Sequence, residues 1–208
     1  MDKASLDPIF SRLKSGLIVT DEDFDTLYSD RVKAISEFHF TPVAVAIAAA
    51  EYLVQEPGTK VLDIGSGAGK FCVIGAACTT GMFTGVEQRE SLFQKSLLLS
   101  ESEGLTNTRF LHANITEIDF QAFDAVYFFN AFFENNFSAD PMEHAATMDK
   151  ELFAAYNQYV RAQLSRMPVG TRLATYFSYL DEVPRELYAD RGTGFEGKLR
   201  FWERVAAR

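Results

Sequence analysis

The residues of this chain best suited to chemistry stand in one short run, Lys-Val-Leu-Asp-Ile-Gly-Ser-Gly-Ala-Gly-Lys-Phe, over positions 60–71. An acid, Asp63, follows an apolar pair, and glycines then fall at alternate positions, Gly65, Gly67 and Gly69. Glycine lacks a Cβ, so such a turn can take positive φ and let a ligand lie against the backbone. The helix expected after it aims free N–H groups and the positive end of its dipole at whatever sits over the turn. A second acid, Glu87, closes an apolar run about 20 residues further on, where a carboxylate can accept hydrogen bonds from both hydroxyls of a ribose. A triphosphate does not suit this cradle. A Walker loop needs glycine where Ile64 stands and Ser or Thr where Phe71 stands. A dinucleotide fingerprint needs glycine in place of Lys70, which weakens NAD.

Holding these groups in register requires alternating strands and helices. The pattern predicts strands over 60–64, 82–87, 108–113, 123–130 and 172–179, with helices over 70–78 and 89–103 and a long helical region over 141–167. Such alternation implies right-handed crossovers and an α/β, Rossmann-like, mostly parallel sheet with helices on both faces. Ligands then bind at the carboxyl ends of the strands. Before the core, residues 1–40 read as a helical N-terminal cap or lid, with Leu6, Ile9, Phe10, Leu13 and Leu17 at helical spacing. Thr41 as N-cap and Pro42 at the first helical position open a further helix over 43–54. Residues 181–208 change character, and two strands around Arg191-Gly192-Thr193-Gly194 predict an antiparallel hairpin at a sheet edge. The whole reads as a single domain, 1–208, with its Rossmann-like core over 41–180.

An acid followed by G-x-G-x-G resembles motif I of the class I S-adenosylmethionine-dependent methyltransferases, with Asp63, Gly65, Gly67 and Gly69 in the places of that superfamily's acid and glycines. The resemblance implies S-adenosyl-L-methionine as cofactor. Asp63 would pair with its ammonium, Glu87 would hold its ribose, and Gln88 or Arg89 would flank its adenine. At the end of the next strand the superfamily places an Asp that accepts from the adenine amino group, and Asn114 stands there, with Ile115 beside it to pack on the ring. An amide oxygen can accept the same bond. The following strand leads to Asn130, the residue this resemblance puts nearest the departing methyl group. Amino-group methyltransferases carry Asn-Pro-Pro-aromatic there, whereas this chain reads Asn130-Ala131-Phe132-Phe133. A looser likeness runs to Dot1-type protein lysine methyltransferases. Phe132, Phe133 and Phe137 are candidate walls of an acceptor pocket, and Glu134, Glu143 and His144 are the groups that could fold over an acceptor as bases. His112 is expected to pack within its strand.

The 208 residues carry 20 basic and 29 acidic side chains, a net charge of −9 that repels phosphate backbones and disfavours nucleic acid as a partner. The two cysteines, Cys72 and Cys78, lie more than a turn apart on one expected helix, which favours reduced thiols and a cytoplasmic setting. Three scattered histidines show no metal-ligand spacing, and no apolar run is long enough to cross a membrane. Three functional classes stay open: a methyltransferase acting on a small molecule or a protein side chain, a non-catalytic cofactor-binding interaction protein, and an NAD-dependent oxidoreductase on the same fold.

Overall fold

A computed structural model describes residues 8–129, 150–178 and 180–207. The central strands are β1 (Lys60–Ile64), β2 (Met82–Glu87), β3 (Thr108–His112), β4 (Ala125–Phe129) and β5 (Arg172–Tyr176), followed by β6 (Tyr188–Gly194) and β7 (Leu199–Arg204). The described strands form a seven-stranded sheet in the order β3-β2-β1-β4-β5-β7-β6. The first five run parallel, and β7 pairs antiparallel with both β5 and β6. The expected C-terminal hairpin is therefore present at the sheet edge.

Strand alternation divides the core in two. Val61, Phe83, Ala125, Tyr127 and Ala174 face one helical layer, whereas Leu62, Ile64, Val86, Val126, Phe128 and Leu173 face the other. The first layer holds α1 (Pro8–Lys14), α2 (Asp21–Asp25), α3 (Asp30–His39), α4 (Val43–Leu53) and α5 (Lys70–Cys78). Ala46, Ala49 and Ala50 of α4 are fully buried, because methyl side chains let that helix lie close to its neighbours. Helix α6 (Glu90–Ser102) lies against β2 and β3, and α7 (Lys150–Arg166) packs Tyr156, Val160 and Leu164 into the second layer.

Several boundaries differ from those the sequence suggests. Pro42, not Thr41, is the N-cap of α4, since the N–H of Val43 is taken by Asp21 Oδ1 at 2.9 Å from a different helix. The strand expected to reach residue 179 ends at Tyr176, where Phe177 turns to φ 50°. The strand expected from 123 starts at Ala125, behind a 3-10 turn at Phe120–Ala122. Of the helical region expected over 141–167, α7 covers the described part. Among the described residues, no helix is long and apolar enough to cross a membrane.

Candidate cofactor site

Sheet register brings the motif residues to the carboxyl ends of β1, β2 and β3. Parallel pairing sets Asp63 beside Gly85 of β2 and Tyr127 of β4, and Glu87 beside His112 of β3. All three glycines of the turn adopt positive φ: Gly65 at 71°, Gly67 at 56° and Gly69 at 83°. Side-chain residues avoid that region, which explains the residue type at each place. At Gly69 a methyl group would also lie 2.8 Å from the Phe110 ring and from Ser96 Cβ, so the turn is held tightly against β3 and α6.

Asp63 is 3 % exposed, and among the described residues its carboxyl group's one hydrogen bond comes from the Cys72 thiol at 3.3 Å. Burial without a cation raises its pKa to about 7, an effect the Cys72 bond opposes and the charge of Glu87 adds to. Cys72 in turn is pushed well up by its own burial and then by Asp63. Above them Tyr127 stacks on Phe71 at 3.8 Å and hydrogen-bonds Thr41 Oγ1 at 2.9 Å. Thr41, expected to cap a helix, thus ties its hydroxyl to Tyr127 of β4 instead.

Glu87 is 4 % exposed and fully engaged. Its Oε2 accepts from the Gly67 N–H at 3.0 Å, tying the acid to the glycine turn. Its Oε1 accepts from the backbone N–H and the Nε of Arg89, at 2.8 and 3.0 Å, and Arg89 Nη2 reaches Oε2 at 3.3 Å. Asn114 uses its amide oxygen to cap the 3-10 turn Ile115–Glu117, accepting from the N–H and hydroxyl of Thr116 at 3.0 and 2.8 Å. Its amide nitrogen donates to Tyr156 OH at 2.7 Å and to Gln88 Oε1 at 3.3 Å. Ile115 is buried in the second core layer. His112 does not pack within its strand. It lies exposed at the strand end, 2.7 Å from Glu90 and stacked on Phe93, because β3 finishes where α6 begins.

The N-terminal helices close one side of the turn through contacts the sequence pattern did not reveal. Lys70, at the first position of α5, is 3 % exposed and pairs with Asp21 at 2.7 Å and Asp25 at 2.9 Å, with its ammonium 5.3 Å from the Phe24 ring centroid. Rings of Phe10, Phe24, Tyr28 and Phe40 contact one another in succession. Phe40 ends this series over the turn, 3.2 Å from where a Cβ on Gly67 would sit. Tyr28 OH donates to the carbonyl of Ala68 at 3.4 Å. Asn130, together with Phe132, Phe133, Phe137, Glu134, Glu143 and His144, lies outside the described residues. A separate cleft of about 460 Å³, lined by Glu56, Gly58, Asp124 and Arg172, opens at the opposite end of the sheet.

The donor set fits the expected cofactor. A buried carboxylate with no cation beside it among the described residues suits an ammonium, and a carboxylate at the end of β2 suits vicinal hydroxyls. The glycine turn brings bare backbone to the ends of these strands, with the Phe40 ring packed over Gly67. Among the described residues no cluster of metal-ligating side chains occurs.

A family model described as a methyltransferase domain matches residues 55–190. Among solved structures, an RNA methyltransferase from Salinibacter ruber, in complex with S-adenosyl-L-homocysteine, is similar with TM-score 0.58 and 18% identity, over 81% of this chain and 94% of that one. TrmN from Thermus thermophilus is similar with TM-score 0.56 and 19% identity, over 79% of this chain and 49% of that one. The [4+2]-cyclase SpnF gives TM-score 0.50 and 18% identity, over 64% of this chain and 43% of that one. The chain therefore spans less than half the length of the last two, and likeness at these identities speaks to fold. Among curated proteins, none matches the sequence at a significant level. The matched residues take in the glycine turn, Glu87 and Asn114 and cover more than half of the sequence, and on that match the chain belongs to the methyltransferase-domain family, the class I S-adenosylmethionine-dependent methyltransferases.

Proposed function

We propose that the chain, acting as a single domain over 1–208, transfers a methyl group from S-adenosyl-L-methionine to a small molecule or a protein side chain, with nitrogen one candidate acceptor atom. The observation that carries this reading is Asp63, a carboxylate buried with no cationic partner among the described residues, beside a turn of three positive-φ glycines. Asp63 receives the cofactor's ammonium and Glu87 its ribose hydroxyls, while Asn114 and Ile115 bound the adenine side. When bound, the cofactor supplies an electrophilic methyl on a sulfonium, so the protein's task is to orient and to exclude water. Phe40, Tyr28 and the Lys70 ion pairs serve the second purpose by fixing the N-terminal helices over the turn. Asn130 aligns the acceptor nitrogen through its amide oxygen.

Two further observations bear on the competing readings. Lys70, buried among carboxylates, stands where a dinucleotide fingerprint has glycine, which argues against NAD. The net charge of −9 argues against a polyanionic acceptor, although one neighbour of the same fold is an RNA methyltransferase. The two free thiols support a cytoplasmic setting. Calorimetry with S-adenosylmethionine, S-adenosylhomocysteine and NAD tests the cofactor. Binding of the first two that is lost in Asp63→Ala and Glu87→Ala is expected, and unchanged affinity in both variants would overturn the assignment. Labelled cofactor offered to fractionated extract, with RNA-containing fractions kept separate and Asn130→Ala as control, tests the acceptor. Cofactor binding with no transfer to any fraction would favour the non-catalytic reading.

A further inference from the structure

The carboxylate proposed to hold the ribose is already saturated. A carboxylate offers about four lone-pair directions, and Glu87 meets four donors: the N–H groups of Gly67 and Arg89, and the Nε and Nη2 of the Arg89 guanidinium. Two of these are backbone groups fixed by the turn and by the start of α6. The other two belong to one side chain that can move as a unit. Arg89 is also an odd residue for its place. It is the N-cap of α6, where Ser, Thr, Asp or Asn would satisfy a free N–H, and its side chain makes no capping bond. The guanidinium instead folds back over two residues to fork onto Glu87, where it is 21 % exposed against 4 % for its partner. It is thus the more exposed member of the pair.

We propose that Arg89 is a resident ligand of the ribose-binding carboxylate, and that the cofactor is held only when its two ribose hydroxyls replace the guanidinium on Glu87. The exchange conserves the number of donors, two hydroxyls for the two guanidinium nitrogens on Glu87, while giving up the guanidinium's charge. Arg89 therefore holds a buried acid oriented in the free protein and sets the threshold a nucleoside must cross to enter. A ligand lacking one ribose hydroxyl cannot complete the exchange, so Arg89 sharpens discrimination for the intact ribose. This inference rests on the cofactor assignment above.

The test measures S-adenosylhomocysteine and its 2′-deoxy analogue by calorimetry on the full chain and on Arg89→Ala, Arg89→Lys and Glu87→Gln, with melting of each free protein as a folding control. Arg89→Ala is expected to bind S-adenosylhomocysteine about fivefold or more tightly, while the preference for it over the deoxy analogue shrinks. Arg89→Lys, which keeps the charge but cannot fork, should fall between, and it answers the question if the alanine variant folds poorly. Unchanged or weaker binding in both Arg89 variants, with Glu87→Gln still losing affinity, would overturn the exchange and leave the ribose assignment standing. Unchanged binding in Glu87→Gln would overturn the assignment itself.

Discussion

Replacing Asp63 by Asn removes a titrating group from the core without changing its shape, and the effect should reverse sign between stability and binding. The carboxyl has an ordinary value of 3.8 in an unfolded chain and about 7 in the fold, driven up first by desolvation. Across that window the native state keeps a proton that the unfolded state has lost. Stability from this group is thus complete below pH 3.8 and lost as pH rises through 7, at about 1.4 kcal/mol per pH unit. Between pH 5 and 7 the loss comes to about 2 kcal/mol, since the slope has halved by pH 7. Besides desolvation, the groups that act on it are Cys72 on α5, whose bond lowers it, and Glu87 on β2, whose charge raises it, neither of them cationic. Urea unfolding at intervals from pH 5 to 8 measures the slope, and the difference between wild type and Asp63→Asn cancels other titrations, such as that of buried Glu182, whose pKa is also raised. Cofactor affinity should move the opposite way. An ammonium needs the ionised acid, so S-adenosylhomocysteine should bind up to about tenfold more weakly for each pH unit below 7. The reasoning fails if the two proteins give parallel stability profiles, or if wild-type affinity is flat from pH 5 to 7.

Three other perturbations follow from contacts around the turn. Asp21→Asn combined with Asp25→Asn leaves the Lys70 ammonium buried without a counter-charge and should cost about 3–5 kcal/mol in urea titration, more than Lys70→Met, whose loss frees acids that water can reach. Gly69→Ala meets both a φ of 83° and a steric clash, so it should destabilise by about 3 kcal/mol or more, against about 1 kcal/mol for Gly104→Ala, where φ is 59° and nothing lies within 4 Å. Tyr127→Phe removes the hydroxyl bonded to Thr41 and should cost about 1 kcal/mol, an amount that Thr41→Val in the same chain does not add to, as a double-mutant cycle would show.

Local pattern made β1, β2 and α5 legible to the residue, because hydrophobic alternation, a glycine turn and an apolar helical run each act over a few neighbours. The same holds for Glu87, whose distance from the turn is fixed by one crossover. What the pattern hid were contacts between distant segments. Lys70 read as a misplaced fingerprint residue, and Asp21 and Asp25 read as acids starting a helix, since nothing in spacing links positions 49 and 45 residues apart. Thr41 followed the capping preference only until Asp21 took the N–H it was expected to precede. His112 is the last residue of its strand yet lies exposed, because β3 stops at the sheet's rim, a boundary that periodicity defines poorly. Arg89 was read as a neighbour of adenine, and its bond to Glu87 depends on a side-chain turn that sequence does not encode.

The order of strands at the sheet's far edge constrains how the fold can be reached. β6 precedes β7 in the chain but touches β5 only through it, so during synthesis β6 has no neighbour to pair with until residues 199–204 have emerged. Until then β5 is itself an open edge, presenting Ala174 and Tyr176 from one face and Leu173 and Thr175 from the other beside unpaired backbone. A nascent or truncated chain stopping before Leu199 would expose that edge, which makes the last strand the element that guards the parallel sheet against pairing with other chains.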